Sequence, residues 1–220
     1  KERVYLTLNG YRWDDFTPYV YVSENYGETW KSIGGELPTS SINVIKEDPA
    51  NENVLYLGAD NGAYVSLNRG ESWEVFSNGL PNVAVHDLVI QPDAKDIVLG
   101  THGRSLYVAD VALIQKLTAS EMNEVVIADL KEIRHSKRWG SSWSQWSDSN
   151  ESSAEIQFFC PQSGKTSITI ESEDGKELQV INLESVKGVS VYDYNLTISK
   201  KGVKNLEKSE AKLIKGSNGE

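Results

Sequence analysis

The sequence predicts an all-β fold: about two and a half four-stranded blades of a partial β-propeller, then a small antiparallel β module. Two observations carry this. The chain repeats at a period near 43 residues, and each period holds only short runs of β-branched and aromatic residues bounded by Gly, Asn, Asp or Pro. Residues 154–220 then alternate in the way of an antiparallel sheet.

The repeat is seen at many positions. Tyr21-Val22-Ser23, Tyr64-Val65-Ser66 and Tyr107-Val108-Ala109 are spaced by 43 and 43. Trp30 and Trp73 are 43 apart, as are Leu37-Pro38 and Leu80-Pro81, and Pro49 and Pro92. Gly58 and Gly100 are 42 apart. A period of about 40–45 residues with short apolar runs is what a four-stranded blade requires.

Strands follow within each period. The first gives Val4–Leu8, Tyr19–Ser23 and Thr29–Ile33, with Asn9–Pro18 inserted as a loop. The second gives Ile42–Glu47, Val54–Ala59, Ala63–Ser66 and Ser72–Phe76. The third gives Ala84–Ile90, Asp96–Gly100 and Ser105–Asp110. The first blade thus lacks its innermost strand and the last its outermost. Closed propellers use about 4–8 blades. The expected partner is therefore the remainder of the same propeller, in a separate chain or in a missing N-terminal part.

Three segments are expected: residues 1–112 as propeller blades, 113–153 as a connector and 154–220 as the second module. In the connector, Asp110–Met122 predicts a short helix with Asp110 as its N-cap. Val125–Ile133 reads as a strand or an extended pass along the blades. The Ser-rich stretch Gly140–Ser153 reads as a linker or surface excursion. Trp139, just before it, and Trp143 and Trp146 within it fall at helical spacing, either to bind sugar or, the favoured reading, to pin the linker onto the propeller. In the module, Ala154–Phe159, Thr166–Glu171, Glu177–Asn182 and Ser190–Ile198 are candidate strands, with Asp174-Gly175 at a hairpin turn. The tail after Asn205 is polar and carries no further strand.

Charge narrows the function. Lys and Arg total 22 against 32 Asp and Glu, a net charge of -10. Residues 1–112 hold 8 basic and 16 acidic groups, so the acidity is concentrated there. That balance excludes a nucleic-acid interface and anionic-membrane docking, both of which need clustered cations. No run of about 18 apolar residues is present, so no membrane insertion by a helix of this chain is expected. Cys160 is the single cysteine and lies in an apolar strand pattern, which points to a buried, inert thiol. The histidines His86, His102 and His135 lack ligand spacing, so no metal site and no cofactor are expected.

Two turns share the pattern S-x-N-x-G-x-x-W: Ser23, Asn25, Gly27 and Trp30, then Ser66, Asn68, Gly70 and Trp73. Asn can bond its own backbone to form the turn, Gly supplies positive φ, and Trp returns to the sheet to bury its ring. The pattern resembles the Asp-box, or BNR, repeat of sialidases, sortilin-type receptors and xyloglucanase-type glycosidases. Asn stands where that motif has Asp. The run from Val4 to Asp110 looks like the end of the propeller in large secreted bacterial BNR-repeat proteins. The resemblance implies an exported protein, whether periplasmic, outer-membrane-associated or extracellular. It also implies that the box is structural and that an immunoglobulin-like module follows. The pattern T-I-x-x-x-D-G-K-x-[VL] is similar to such modules.

Propellers bind ligands on the face built by the loops between second and third strands. Here those loops carry Arg12, Trp13, Asp14, Asp15, Asp60, Asn61, His102 and Arg104. An indole with planar charged groups suits a sugar or a protein ligand. Glycoside hydrolysis needs two carboxylates flanking one bond. Asp14, Asp15 and Asp60 are the only candidates on this face, and Asp14 and Asp15 are adjacent in sequence. The expectation is a non-catalytic recognition or scaffold segment binding glycan or protein at the cell surface. The alternatives are a sialidase- or xyloglucanase-like glycosidase with its acids mainly in further blades, and a sortilin-like peptide receptor.

Overall fold

The computed structural model describes residues 2–76, 79–117, 123–130, 132–133, 136–146, 148–149 and 151–217. Met122 and His135 lie outside them. The chain divides into two compact units, Lys1–Ser120 and Glu121–Glu220.

The first unit is a stack of three antiparallel sheets. The first sheet holds β1 (Val4–Gly10), β2 (Asp15–Ser23) and β3 (Lys31–Ser32). The second holds β4 (Ile42–Glu47), β5 (Leu55–Ala59), β6 (Gly62–Ser66) and β7 (Glu74–Val75). The third holds β8 (Val85–Gln91), β9 (Asp96–Thr101) and β10 (Leu106–Asp110). The pattern of three, four and three strands is a partial propeller with no closed sheet. The core between the first two sheets joins Val20 and Val22 of β2 to Ile42, Leu55, Leu57, Ala59 and Tyr64, with Ile33 and Leu37 alongside. Helix α1 (Ala112–Lys116) closes this unit, with Leu113 and Ile114 buried. Val111 is its N-cap residue, and the Asp110 carboxylate accepts the Ala112 N–H at 2.9 Å.

The Asn9–Pro18 segment is mostly not a loop. Gly10 pairs with Asp15, so the β1–β2 hairpin runs on to a tip of one 3-10 turn, Tyr11–Trp13. Phe16 and Thr17, with Tyr19 and Val20 just beyond, favour an extended ribbon over a free excursion.

Both S-x-N-x-G-x-x-W turns adopt one geometry. Ser23 Oγ accepts the Gly27 N–H at 2.8 Å, and Ser66 Oγ accepts the Gly70 N–H at 2.8 Å. Asn25 Oδ1 accepts the Thr29 N–H at 2.9 Å, and Asn68 Oδ1 accepts the Ser72 N–H at 2.9 Å. Each Asn also donates from Nδ2 to the hydroxyl before the Trp, Thr29 at 3.0 Å and Ser72 at 2.8 Å. Gly27 and Gly70 sit at φ 94° and 86°, in the region that favours glycine. Trp73 is half-buried against the core, whereas Trp30 is exposed. The ring burial expected of both tryptophans is met by Trp73, which reaches back to the Ile33 carbonyl of the first sheet, and not by Trp30.

The second unit layers two sheets. One orders β11 (Val126–Ile127), β12 (Ala154–Cys160) and β15 (Gly188–Tyr194); the other pairs β13 (Gly164–Glu171) with β14 (Glu177–Ser185). Ile156, Phe158, Cys160 and Tyr194 from the first meet Ile168, Ile170, Ile181 and Leu183 from the second in one core. Cys160 is buried and free. The polar tail is helical: α2 spans Lys200–Ser217, with Ser199 Oγ accepting the Gly202 N–H at 2.9 Å at its start. Its Lys, Glu, Leu and Ala content favours the helix. Trp139 to Trp146 form turns rather than a helix. The Trp143 and Trp146 rings are exposed.

Candidate functional site

The candidate site is built by three hairpin tips and the strand starts beside them. The first tip follows from Asn9, whose Oδ1 accepts the Tyr11 N–H at 3.2 Å. Asp14 adopts left-handed φ of 60° and donates its N–H to the Tyr11 carbonyl at 3.1 Å, closing the 3-10 turn. Arg12 lies over the Tyr11 ring, 5.8 Å from its centroid, and donates from Nε to the Tyr11 hydroxyl at 3.1 Å. Trp13 is exposed at the apex.

Asp15 is held differently from Asp14. Its Oδ1 accepts the Thr17 N–H at 3.0 Å, and its Oδ2 accepts the Tyr19 hydroxyl at 2.8 Å. The Thr17 N–H, then side-chain donors, hold this carboxyl below the usual carboxylate range. The same pairing pushes the Tyr19 phenol up. A general acid needs the opposite shift.

The second tip is Asp60-Asn61, between β5 and β6, where Ala59 pairs with Gly62. The third is His102–Arg104, between β9 and β10, with the His102 N–H donated to the Ala84 carbonyl at 2.9 Å. His102 and Arg104 are exposed.

Two strand-start residues tie these tips together. Asn43 sits in a register shift between Ile42 and Val44, and His86 in the same shift between Val85 and Asp87. They are 43 residues apart, so the bulge repeats with the blade. A bulge re-aims the extra side chain out of the ladder. Asn43 Oδ1 accepts from Asn9 Nδ2 at 2.8 Å, and Asn43 Nδ2 donates to Asp60 Oδ1 at 2.8 Å and to the Val85 carbonyl at 3.2 Å. One amide therefore links all three sheets. His86 faces His102, with ring centroids 5.2 Å apart. Gly58 and Gly100 stand opposite the bulges, paired with Val44 and Asp87. A Cβ on Gly58 would lie 2.8 Å from Val44 and Val85 atoms. The 42-residue spacing of these glycines was the visible trace of the bulges; Asn43 and His86 themselves carried no motif.

The structure thus joins Asn9, Asn43 and Asp60, and pairs His86 with His102. Arg12 and Trp13 belong to the first tip by their own local contacts. The Ser41 Oγ and Asn61 Oδ1 atoms beside the second tip are buried without a hydrogen-bond partner. The face offers amides, imidazoles, a guanidinium and an indole, which suit hydrogen bonding and stacking. Among the described residues, no group of three or more His, Cys, Asp or Glu side chains is placed to hold a metal ion. No helix among them is long and apolar enough to cross a membrane.

The Sortilin-Vps10 family model, described as sortilin, neurotensin receptor 3, matches residues 18–211. Among solved structures, a crystal structure of an ancestral GH74 enzyme is similar at 14% identity and a TM-score of 0.38. The match covers 83% of this chain, which spans only 26% of that enzyme's chain. No curated protein matches the sequence.

Proposed function

The chain belongs to the Sortilin-Vps10 family, and from that premise we propose that it is a non-catalytic recognition segment of an exported propeller protein. Its hairpin-tip face binds a neutral glycan or a protein at the cell surface. The observation that carries this reading is the state of Asp15: both carboxylate oxygens are engaged inside its own hairpin, and its pKa is shifted down, opposite to what the general acid of a glycosidase needs. Asp60 is likewise engaged by Asn43. These carboxylates brace hairpin tips, as turn residues do, instead of waiting on a substrate bond. The net acidity of the blades favours a neutral ligand over an acidic polymer. In the same reading, the two S-x-N-x-G-x-x-W turns are Asp-box struts, and the second unit is an immunoglobulin-like spacer.

The test pairs binding with turnover. The chain is probed on a neutral glycan array and by peptide display, and in parallel incubated with aryl-glycoside and polysaccharide panels. Expected are binding that Trp13→Ala or His102→Ala weakens at least tenfold, and no hydrolysis. Turnover that Asp14→Asn or Asp15→Asn abolishes would overturn the proposal in favour of a glycosidase.

A further inference from the structure

The third sheet repeats a brace of the second, with imidazoles in place of the hydrogen-bonded pair. In the second sheet Asn43 sits in the β4 bulge and donates to Asp60 Oδ1 at 2.8 Å, and the Asp60 N–H is donated to the Ser41 carbonyl at 3.0 Å. In the third sheet His86 sits in the β8 bulge, and the His102 N–H is donated to the Ala84 carbonyl at 2.9 Å. Asn43 to His86 and Ser41 to Ala84 are each 43 residues, and Asp60 to His102 is 42. His86 therefore stands in the place of Asn43, and His102 in the place of Asp60. The two histidines are 16 residues apart in sequence, and the bulge and the backbone bond set them side by side. What differs is the side-chain contact. Asn43 and Asp60 are joined by a hydrogen bond, whereas the His86 and His102 rings face each other with centroids 5.2 Å apart and planes at 36°. Among the described residues, no partner hydrogen-bonds the ring nitrogens of either histidine.

We propose that His86 and His102 together bind one late first-row divalent transition-metal ion, Cu²⁺ most tightly and Zn²⁺ or Ni²⁺ less so. Neutral imidazole is the ligand these ions share, and affinity along the series peaks at Cu²⁺. The spacing fits. Two imidazoles on one ion, each nitrogen about 2.0–2.1 Å from it, have ring centroids about 4.5–5.2 Å apart between square-planar and tetrahedral angles. Among the described residues, no third His, Cys, Asp or Glu joins the pair. The neighbouring Asp87 has its Oδ1 committed to the Leu88 N–H at 2.9 Å. Water completes the coordination, so the ion exchanges readily. Hard Mg²⁺ and Ca²⁺, which want several oxygen ligands, are not held. The bound ion does in the third sheet what the Asn43–Asp60 bond does in the second: it ties the start of β8 to the tip between β9 and β10. Both ligands belong to one sheet, so the pair is complete within it.

The experiment titrates the full chain, freed of metal by a chelator, with Cu²⁺ alone at neutral pH. Calorimetry reads stoichiometry and affinity, and electron paramagnetic resonance counts the coordinating nitrogens. One ion per chain is expected, with hyperfine structure from two imidazoles. His86→Gln and His102→Gln should each weaken binding at least about tenfold, since losing a ligand costs no less than losing the outer partner of one. His135→Gln should leave binding unchanged. Zn²⁺ should compete with Cu²⁺, and Mg²⁺ should not. Zn²⁺ should also raise the thermal midpoint of the wild type and not of either ligand variant, because an ion that binds only the folded pair stabilises it. Both histidines are exposed, so the variants should fold; circular dichroism checks this. The proposal is overturned by a chain that binds no Cu²⁺, by a spectrum with a single imidazole, or by binding that survives His86→Gln or His102→Gln. Binding lost in His135→Gln overturns it equally, because the ion would then belong to another histidine.

Discussion

Trp73 donates its indole N–H to the carbonyl of Ile33, 2.7 Å away and 40 residues earlier. This bond crosses from the second sheet to the first, so Trp73 serves as a strut between these neighbours. Trp73→Phe keeps most of the ring and deletes the donor. It should cost about 1 kcal/mol of the first unit's stability, the usual worth of one such bond. Trp30→Phe should cost less than ~0.5 kcal/mol, since Trp30 is exposed. Urea unfolding followed by circular dichroism reads both.

Asn68 works in both directions within its turn. Its Oδ1 accepts the Ser72 N–H and its Nδ2 donates to the Ser72 hydroxyl. Asn68→Ala removes both bonds and should cost about 1–2 kcal/mol, as loss of a capping side chain does. In Asn68→Asp the Ser72 hydroxyl can rotate to donate instead, because a hydroxyl both donates and accepts. That variant should stay within ~0.5 kcal/mol of the wild type. Thermal unfolding of the pair checks the contrast, and equal losses would show that the turn depends on the amide donor.

The strands were legible because each is a short β-branched or aromatic run closed by a turn residue, and because the two S-x-N-x-G-x-x-W turns fix the period. The bulges at Asn43 and His86 were not, since one unpaired residue leaves no compositional mark. Only the 43-residue spacing of those two residues and the 42-residue spacing of Gly58 and Gly100 record it. Arg12, Trp13 and the tip carboxylates mark this face in the sequence, whereas the Asn43 amide that ties it together has no motif. Helix α2 is not legible for a different reason. Its start has Gly202, a poor helix former, and a cap of the form Ser199-x-x-Gly202 that lacks the acidic N3 residue of a capping box.

Asp15 should titrate visibly at low pH. Its folded pKa lies below the unfolded value, chiefly through the Thr17 N–H. The stability it adds is therefore fully present above the unfolded carboxylate pKa and is lost as pH falls through the folded one. NMR titration of its side-chain carboxyl should give a midpoint below that of a free Asp. Asp15→Asn should flatten the acid limb of the stability curve. A raised midpoint would reopen a general-acid role for Asp15.

Tyr56 sets the alkaline limit of the first unit. Its phenol is pushed up first by burial and then by the nearby Asp48 charge. Burial and Glu47 push Tyr5 up likewise; its hydroxyl donates to Glu47 Oε2 at 2.8 Å. A raised folded pKa gives stability that is whole below the unfolded phenol pKa of about 10 and lost as pH rises toward the folded value. Tyrosinate absorbance should show Tyr56 ionising only as the fold opens. Tyr56→Phe should move the alkaline unfolding midpoint to higher pH.

Gly202 fixes where α2 meets β14. The Ser199 N–H and Oγ both donate to the Leu178 carbonyl, at 3.1 and 3.0 Å, and Asn205 Nδ2 donates to the Glu177 carbonyl at 2.7 Å. A Cβ at Gly202 would lie 1.9 Å from the Leu178 oxygen, too near for any side chain. The obstacle is backbone, which cannot swing aside as a side-chain tip can. Gly202→Ala should therefore push the start of the helix off the strand. The expected loss is about 1–3 kcal/mol, the range for forcing an extra carbon into a packed site. Ala favours helix over Gly by about 1 kcal/mol, so the helix itself should gain while its docking fails. Hydrogen exchange separates the two effects. Amides at the start of β14 should lose protection while α2 keeps its own, and retained protection in both would show that the contact is not what orders this edge.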